Sequence, residues 1–197
     1  MNERKFLSLF ALILSILLAG CSPSEEEAPP LAGAAIGGGF TLTNQDGERV
    51  SDTDFAGRYR ILYFGFTNCP DVCPVDLQMI GQALRQLEQS DPKIAAKIQP
   101  IFISVDPERD TPAVLKQYVA AFHPRLIGLT GSPEEIAEMA KRYGIYYSKE
   151  QAEGASDYLV NHTRIAFLFG PEGEPIAILP HDEGADAIVK ELKRWVK

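Results

Sequence analysis

The stretch Arg60-Ile61-Leu62-Tyr63-Phe64-Gly65-Phe66-Thr67-Asn68-Cys69-Pro70-Asp71-Val72-Cys73-Pro74 joins a strand pattern to a helix pattern through a pair of cysteines. Arg60 to Phe66 is a nearly continuous, aromatic-rich apolar run, which is how a strand covered on both faces reads. Beyond it, Leu77, Ile80, Leu84 and Leu87 recur at spacings of 3, 4 and 3, one face of a helix, with Pro74 suited to the first helical position. Cys69 and Cys73 therefore fall at the carboxyl end of a buried strand and the start of a helix. Ligands of open α/β sheets bind at that edge. Free amide donors and the positive end of the helix dipole there favour thiolate over thiol. A spacing of four lets both sulfurs face one side. Three roles compete: a structural disulfide, a redox pair and a metal site. A bridge closing so small a loop removes little chain entropy, so the first is the weakest.

Outward from this stretch the pattern alternates strand and helix. Phe40 to Thr43, followed by the turn Asn44-Gln45-Asp46-Gly47, predicts a hairpin that opens the domain. Pro100 to Val105 reads as a second buried strand and Leu126 to Leu129 as a short one. Helices are predicted from Thr111-Pro112 to about Phe122, and from the capping box Ser132-Pro133-Glu134-Glu135 to about Tyr143. Arg164 to Phe169 and Ile176 to Leu179 form a hairpin around Gly170-Pro171-Glu172-Gly173, and Ile188, Leu192 and Trp195 mark a last helix. The expected fold is α/β: a three-layer sandwich about a mixed central sheet, in the element order of a thioredoxin-like domain, preceded by an N-terminal β-hairpin.

Composition narrows the chemistry. Across 197 residues, 19 Lys plus Arg against 27 Asp plus Glu give a net charge of −8, which excludes non-specific binding of nucleic acid. Three cysteines exclude a disulfide-rich scaffold, and three histidines exclude a histidine-cluster metal site. At the amino terminus, Arg4 and Lys5 precede an apolar run from Phe6 to Leu18, too short to span a bilayer comfortably. Leu18-Ala19-Gly20-Cys21 resembles the bacterial lipoprotein processing box. The expectation is a signal peptide over residues 1–20 and lipidation of Cys21. Residues 21–39 are then a flexible tether, poor in large apolar residues, and 40–197 the folded domain. That address places the domain outside the cytosol, in a periplasm-like compartment.

Of the histidines, His123 in Phe122-His123-Pro124 reads as a surface cap at a helix end, and His181 as a solvated loop residue. His162 precedes the strand Arg164 to Phe169, and in a thioredoxin-like arrangement the loop entering that hairpin lies beside the cysteine turn. Together with Ser104-Val105-Asp106-Pro107-Glu108-Arg109-Asp110-Thr111 and Asp157-Tyr158-Leu159-Val160-Asn161-His162-Thr163, the cysteine motif resembles the Sco/SenC family over essentially the whole domain. These are membrane-anchored, thioredoxin-like copper proteins implicated in assembling the copper centre of cytochrome c oxidase subunit II. The resemblance implies a copper ion bound by Cys69, Cys73 and His162, and delivery to that subunit or another cuproenzyme. One departure is Asn161, where many members carry Asp. Asp106 to Asp110 is read mainly as a structural turn and helix lead-in. Two thiolates and an imidazole form a soft set suited to Cu(I), while structural zinc would want a fourth ligand. The rival readings are a thiol–disulfide oxidoreductase using Cys69 and Cys73 to keep a client's copper-ligating cysteines reduced, and a copper- or redox-sensing module.

Overall fold

In a computed structural model, residues 27–151 and 157–197 are described. The expected signal peptide and Cys21 lie outside these residues. Nine strands run in chain order: β1 (Thr41–Asn44), β2 (Arg49–Ser51), β3 (Tyr59–Gly65), β4 (Ile98–Ser104), β5 (Ile127–Thr130), β6 (Tyr147–Glu150), β7 (Leu159–His162), β8 (Ala166–Phe169) and β9 (Pro175–Ile178). The helices are α1 (Val72–Ser90), α2 (Pro92–Ala96), α3 (Pro112–Ala120), α4 (Pro133–Arg142) and α5 (Ala185–Trp195), with a 3-10 turn at Asp52–Phe55.

Seven strands form one mixed sheet in the order β2-β1-β5-β4-β3-β8-β9. β3 and β4 pair in parallel, as do β4 and β5, while β8 runs antiparallel to β3. All seven residues of β3 are buried, as its unbroken apolar run requires. The tyrosine ring of Tyr63 stacks on Phe102 with centroids 6.5 Å apart, and Tyr118 of α3 lies 5.4 Å from Phe102 on that face. On the opposite face Phe64 meets Tyr143, at the end of α4, at 5.8 Å. α1 packs against α5 and backs onto the carbonyl of Phe122, so α1, α3 and α5 cover one face and α4 the other. The layers are those expected. Leu77, Ile80, Leu84 and Leu87 are all buried along α1, each contributing about 2 kcal/mol of burial.

Four details depart from the sequence reading. α1 begins at Val72 rather than Pro74, which draws Cys73 into its first turn; Pro74 is tolerated because first-turn amides have no intrahelical acceptor anyway. β6 and β7 form a separate two-stranded ribbon between α4 and β8 that the pattern did not reveal. Its first strand, Tyr147-Ser148-Lys149-Glu150, is polar and partly exposed, with no apolar alternation to betray it. The strand expected from Arg164 begins only at Ala166. Finally, the later part of the expected flexible tether lies on the domain. Leu31 and Ile36 pack against the core, Leu31 N–H donates to Ile176 O (3.0 Å), Gly37 N–H to Arg142 O (3.0 Å), and Tyr143 OH to Gly38 O (2.8 Å). Two large apolar side chains and these three hydrogen bonds hold it there. Among the described residues no helix is long and apolar enough to cross a membrane.

Candidate metal centre

β3 ends at Gly65, and the chain turns through Thr67-Asn68-Cys69 before α1 begins. The turn is held by Asp110: its carboxylate accepts Thr67 N–H (3.0 Å), Thr67 Oγ1 (2.6 Å) and Ser104 Oγ (2.6 Å). Cys69 is half-buried in the turn, whereas Cys73 is fully buried. Cys73 N–H, one of the free amides of the first turn, points at Cys69 Sγ at 3.5 Å. Gly65 makes room for the second sulfur: a Cβ there would stand 2.9 Å from Cys73 Sγ and 3.0 Å from Phe102 Cε2.

His162, at the end of β7, comes from 89 positions further along the chain to place Nε2 3.2 Å from Cys73 Sγ. Its Nδ1–H donates to Thr163 O (3.1 Å), which leaves the lone pair on Nε2, facing the sulfurs. The ring is also gripped edge-on by Phe66 (5.9 Å) and Tyr63 (6.5 Å). The three ligand atoms lie within 4.8 Å of one another. The structure thus brings together the two cysteines and the histidine singled out in the sequence.

The sulfurs are not equivalent. Cys69 is held far below an ordinary thiol, at about 3, chiefly by the hydrogen bond from Cys73 and further by the backbone amides of Cys73 and Asp71. Cys73 is pushed well up, because Cys69 takes its hydrogen bond and burial penalises a second thiolate. The pair therefore keeps one proton between two sulfurs, on the buried partner. Such a site offers one ready thiolate, a second released on demand and an imidazole whose Nε2 faces both. Among the described residues this is the group of three metal-ligating side chains that converge.

Several supporting residues escaped the sequence reading. Asp76, three positions past Cys73 on α1, is fully buried and accepts Tyr63 OH (2.8 Å) and Arg164 Nε (2.7 Å). His181 is not solvated as expected. It is buried, with Nδ1–H donating to Leu179 O (3.0 Å) and Nε2 3.4 Å from Asp76. His123 is likewise buried rather than a surface cap; its Nδ1 accepts Arg125 N–H (3.2 Å) and Nε2 lies 3.4 Å from Glu88. Neither reaches the sulfur pair's ligand group. Asp106 to Asp110 does turn the chain into α3, but it also ties the cysteine turn to the ribbon that carries His162.

A model of the SCO1/SenC family matches residues 28–197. The chain belongs to this family. Among curated relatives it is 44% identical over 180 residues to the mitochondrial SCO1 homologue 1 of Arabidopsis thaliana, covering 89% of this chain and 53% of that one. It matches human mitochondrial SCO1 at 44% identity over 139 residues, 71% of this chain and 46% of that one. The chain thus spans about half the length of these two relatives. Among solved structures it is similar to Bradyrhizobium japonicum ScoI with copper bound, with a TM-score of 0.74 and 40% identity over 82% of this chain and 99% of that one. BsSco, described as having a disulfide switch and as a member of the Sco family of cytochrome c oxidase assembly proteins, matches with a TM-score of 0.65 and 26% identity, over 87% and 100% of the two chains. A thioredoxin domain of a Bacteroides vulgatus thiol–disulfide oxidoreductase, 15% identical, aligns with a TM-score of 0.55 over 89% of this chain and all of that one, and establishes the thioredoxin-like fold.

Proposed function

We propose that this SCO1/SenC protein is a copper carrier, with Cu(I) as its cargo, that helps assemble the copper centre of cytochrome c oxidase. The observation that carries the reading is the convergence of Cys69, Cys73 and His162 within 4.8 Å. Two sulfurs and an imidazole nitrogen are a soft, three-coordinate set of the kind Cu(I) accepts. Loading requires both thiols reduced, and Cys73 gives up its proton as the metal enters. An incomplete coordination shell lets a recipient's ligand attack before a donor ligand leaves, which suits transfer better than storage. The copper-bound Bradyrhizobium ScoI and the assembly role stated for BsSco's family support the cargo and its destination. Cytochrome c oxidase subunit II or another cuproenzyme is the recipient.

The Leu18-Ala19-Gly20-Cys21 box supports an anchored lipoprotein facing the periplasm, cleaved after residue 20, with residues 21–30 linking the lipidated Cys21 to the packed segment. The two curated relatives named above, from Arabidopsis thaliana and human, are mitochondrial. The anchor is tested by a Cys21→Ser substitution, which should abolish lipid labelling and release the protein from membranes.

The unequal sulfur pair also favours a second reading, reduction of a client's disulfide. Cys69 thiolate attacks one client sulfur and the other leaves as a thiol; Cys73, deprotonated, then displaces the client and closes the Cys69–Cys73 bridge. Copper binding to the reduced protein separates the two. One Cu(I) per chain, lost with Cys69→Ala or Cys73→Ala and weakened by His162→Ala, supports the carrier. Dithiol exchange that survives His162→Ala, with no stoichiometric Cu(I), supports the reductase instead.

A further inference from the structure

Among the described residues the ribbon that carries His162 pairs with no larger sheet, so strand pairing alone does not fix its imidazole against α1. We infer that Asp76 and Asp106 are positioning residues for this third ligand: two buried carboxylates, each closed by an arginine and a tyrosine hydroxyl, pin the Tyr158–Arg164 arm at both ends and so set where His162 Nε2 lies. The inference rests on the three-ligand reading above.

At the far end of the arm, Arg164 follows His162 by two positions and reaches across to α1. Its Nε and Nη2 both bond the carboxylate of Asp76, which also accepts Tyr63 OH at 2.8 Å. His181 Nε2 stands 3.4 Å away on the same group. Asp76 is three residues past Cys73, so this pair ties the sulfur-bearing turn of α1 directly to the chain just after the histidine.

At the near end, Asp106 lies just beyond β4 and is fully buried. It accepts Tyr158 OH at 2.7 Å and is paired with Arg109 Nε. Arg109 in turn donates through Nη1 to Tyr158 O (2.9 Å) and Asp157 (2.9 Å), and its guanidinium lies over the Tyr158 ring at 3.7 Å. Tyr158 precedes His162 by four positions. The same short segment continues to Asp110, which holds the turn before Cys69, so one motif touches both halves of the metal centre.

The physical force of the arrangement is the cost of an unpaired buried carboxylate. Neither Asp76 nor Asp106 has solvent to turn to, so each keeps its arginine and hydroxyl in place, and the planar, forked contact to Arg164 fixes direction as well as distance. The arm between them has little freedom left. The motif Asp106 to Asp110, read from the sequence mainly as a structural turn and helix lead-in, thereby helps to place a ligand.

A double-mutant cycle tests this, with Cu(I) affinity of the reduced protein read by competition against a chromophoric Cu(I) chelator. Tyr158→Phe removes one hydroxyl and Arg164→Lys keeps the charge but not the fork; both are gentler than Asp76→Asn, which joins them. Each is made alone and together with His162→Ala. In the parent each should lose affinity by about 10-fold, the usual size of an outer-shell loss, and in the His162→Ala background cause no further loss. X-ray absorption of the Cu(I)-loaded Arg164→Lys protein should show the imidazole contribution reduced while both sulfurs remain. Losses of equal size in both backgrounds, or Tyr158, Arg164 and Asp76 variants that bind like the parent although His162→Ala does not, overturn the positioning role and leave the three-ligand site standing. Full affinity in His162→Ala itself overturns the three-ligand reading, and the positioning role with it.

Discussion

The unequal sulfurs make a prediction that can be worked through to numbers. Take the reduced domain without copper and vary only pH, following alkylation of Cys69 by iodoacetamide in stopped flow with mass-spectrometric assignment. At about 3, the Cys69 thiol is almost wholly ionised at pH 5. An ordinary cysteine near 8.5 is about 0.03% thiolate at that pH and about 25% at pH 8. Since the thiolate is the nucleophile, an ordinary thiol slows roughly 800-fold between pH 8 and pH 5, whereas Cys69 should slow by less than about twofold. Its absolute rate at pH 8 will be modest, because nucleophilicity falls with basicity. Cys73, buried and protonated, should stay unmodified in the same window. Cys73→Ala removes the largest cause of the shift, the hydrogen bond to Cys69, so its Cys69 rate should acquire a clear rise with pH. A parent profile that climbs tenfold per pH unit from 5 to 8 would refute the shared-proton description.

Further expectations concern other residues. Gly65→Ala places a Cβ 2.9 Å from Cys73 Sγ among fully buried neighbours, so it should destabilise the fold by about 1–3 kcal/mol in chemical denaturation and weaken Cu(I) binding, while a silent substitution would contradict the packing. Asp110→Asn leaves one acceptor oxygen where Thr67 and Ser104 present three donors; a loss of about 1–3 kcal/mol is expected, read as a shift in the denaturation midpoint. Burial holds His123 below its ordinary value, so the fold prefers it neutral: that stability is present above pH about 6.5 and is lost as pH falls through the lowered folded value. Between pH 7.5 and 5 the parent should therefore lose more stability than His123→Asn, and equal losses would contradict the assignment.

The sequence made two elements of the fold legible for different reasons. β3 stood out because both of its faces are covered, which leaves no polar residue to interrupt Ile61 to Phe66. α4 stood out because Ser132 and Glu135 must satisfy first-turn amides, and they do so as the capping box predicts. The ribbon was hidden by its own exposure: of Tyr147 to Glu150 and Leu159 to His162 only Val160 is fully buried, too little for an alternation to show. The place of its loop beside the cysteine turn in the expected topology, together with the family resemblance, and not periodicity, is what picked out His162. Asp76 gave no local sign, since a lone aspartate on a helix reads as solvated until Arg164, 88 positions away, is seen to cover it. Pro180-His181-Asp182-Glu183-Gly184 misled in the opposite direction: its polarity is that of an open loop, yet Asp76 draws the imidazole inward.

The most direct test of the account is X-ray absorption on the reduced domain loaded with one equivalent of Cu(I), recorded for the parent and for His162→Ala. A single copper with two sulfur neighbours and one imidazole, the imidazole vanishing in the variant, is the predicted result. A two-sulfur copper with the same spectrum in both proteins would contradict it.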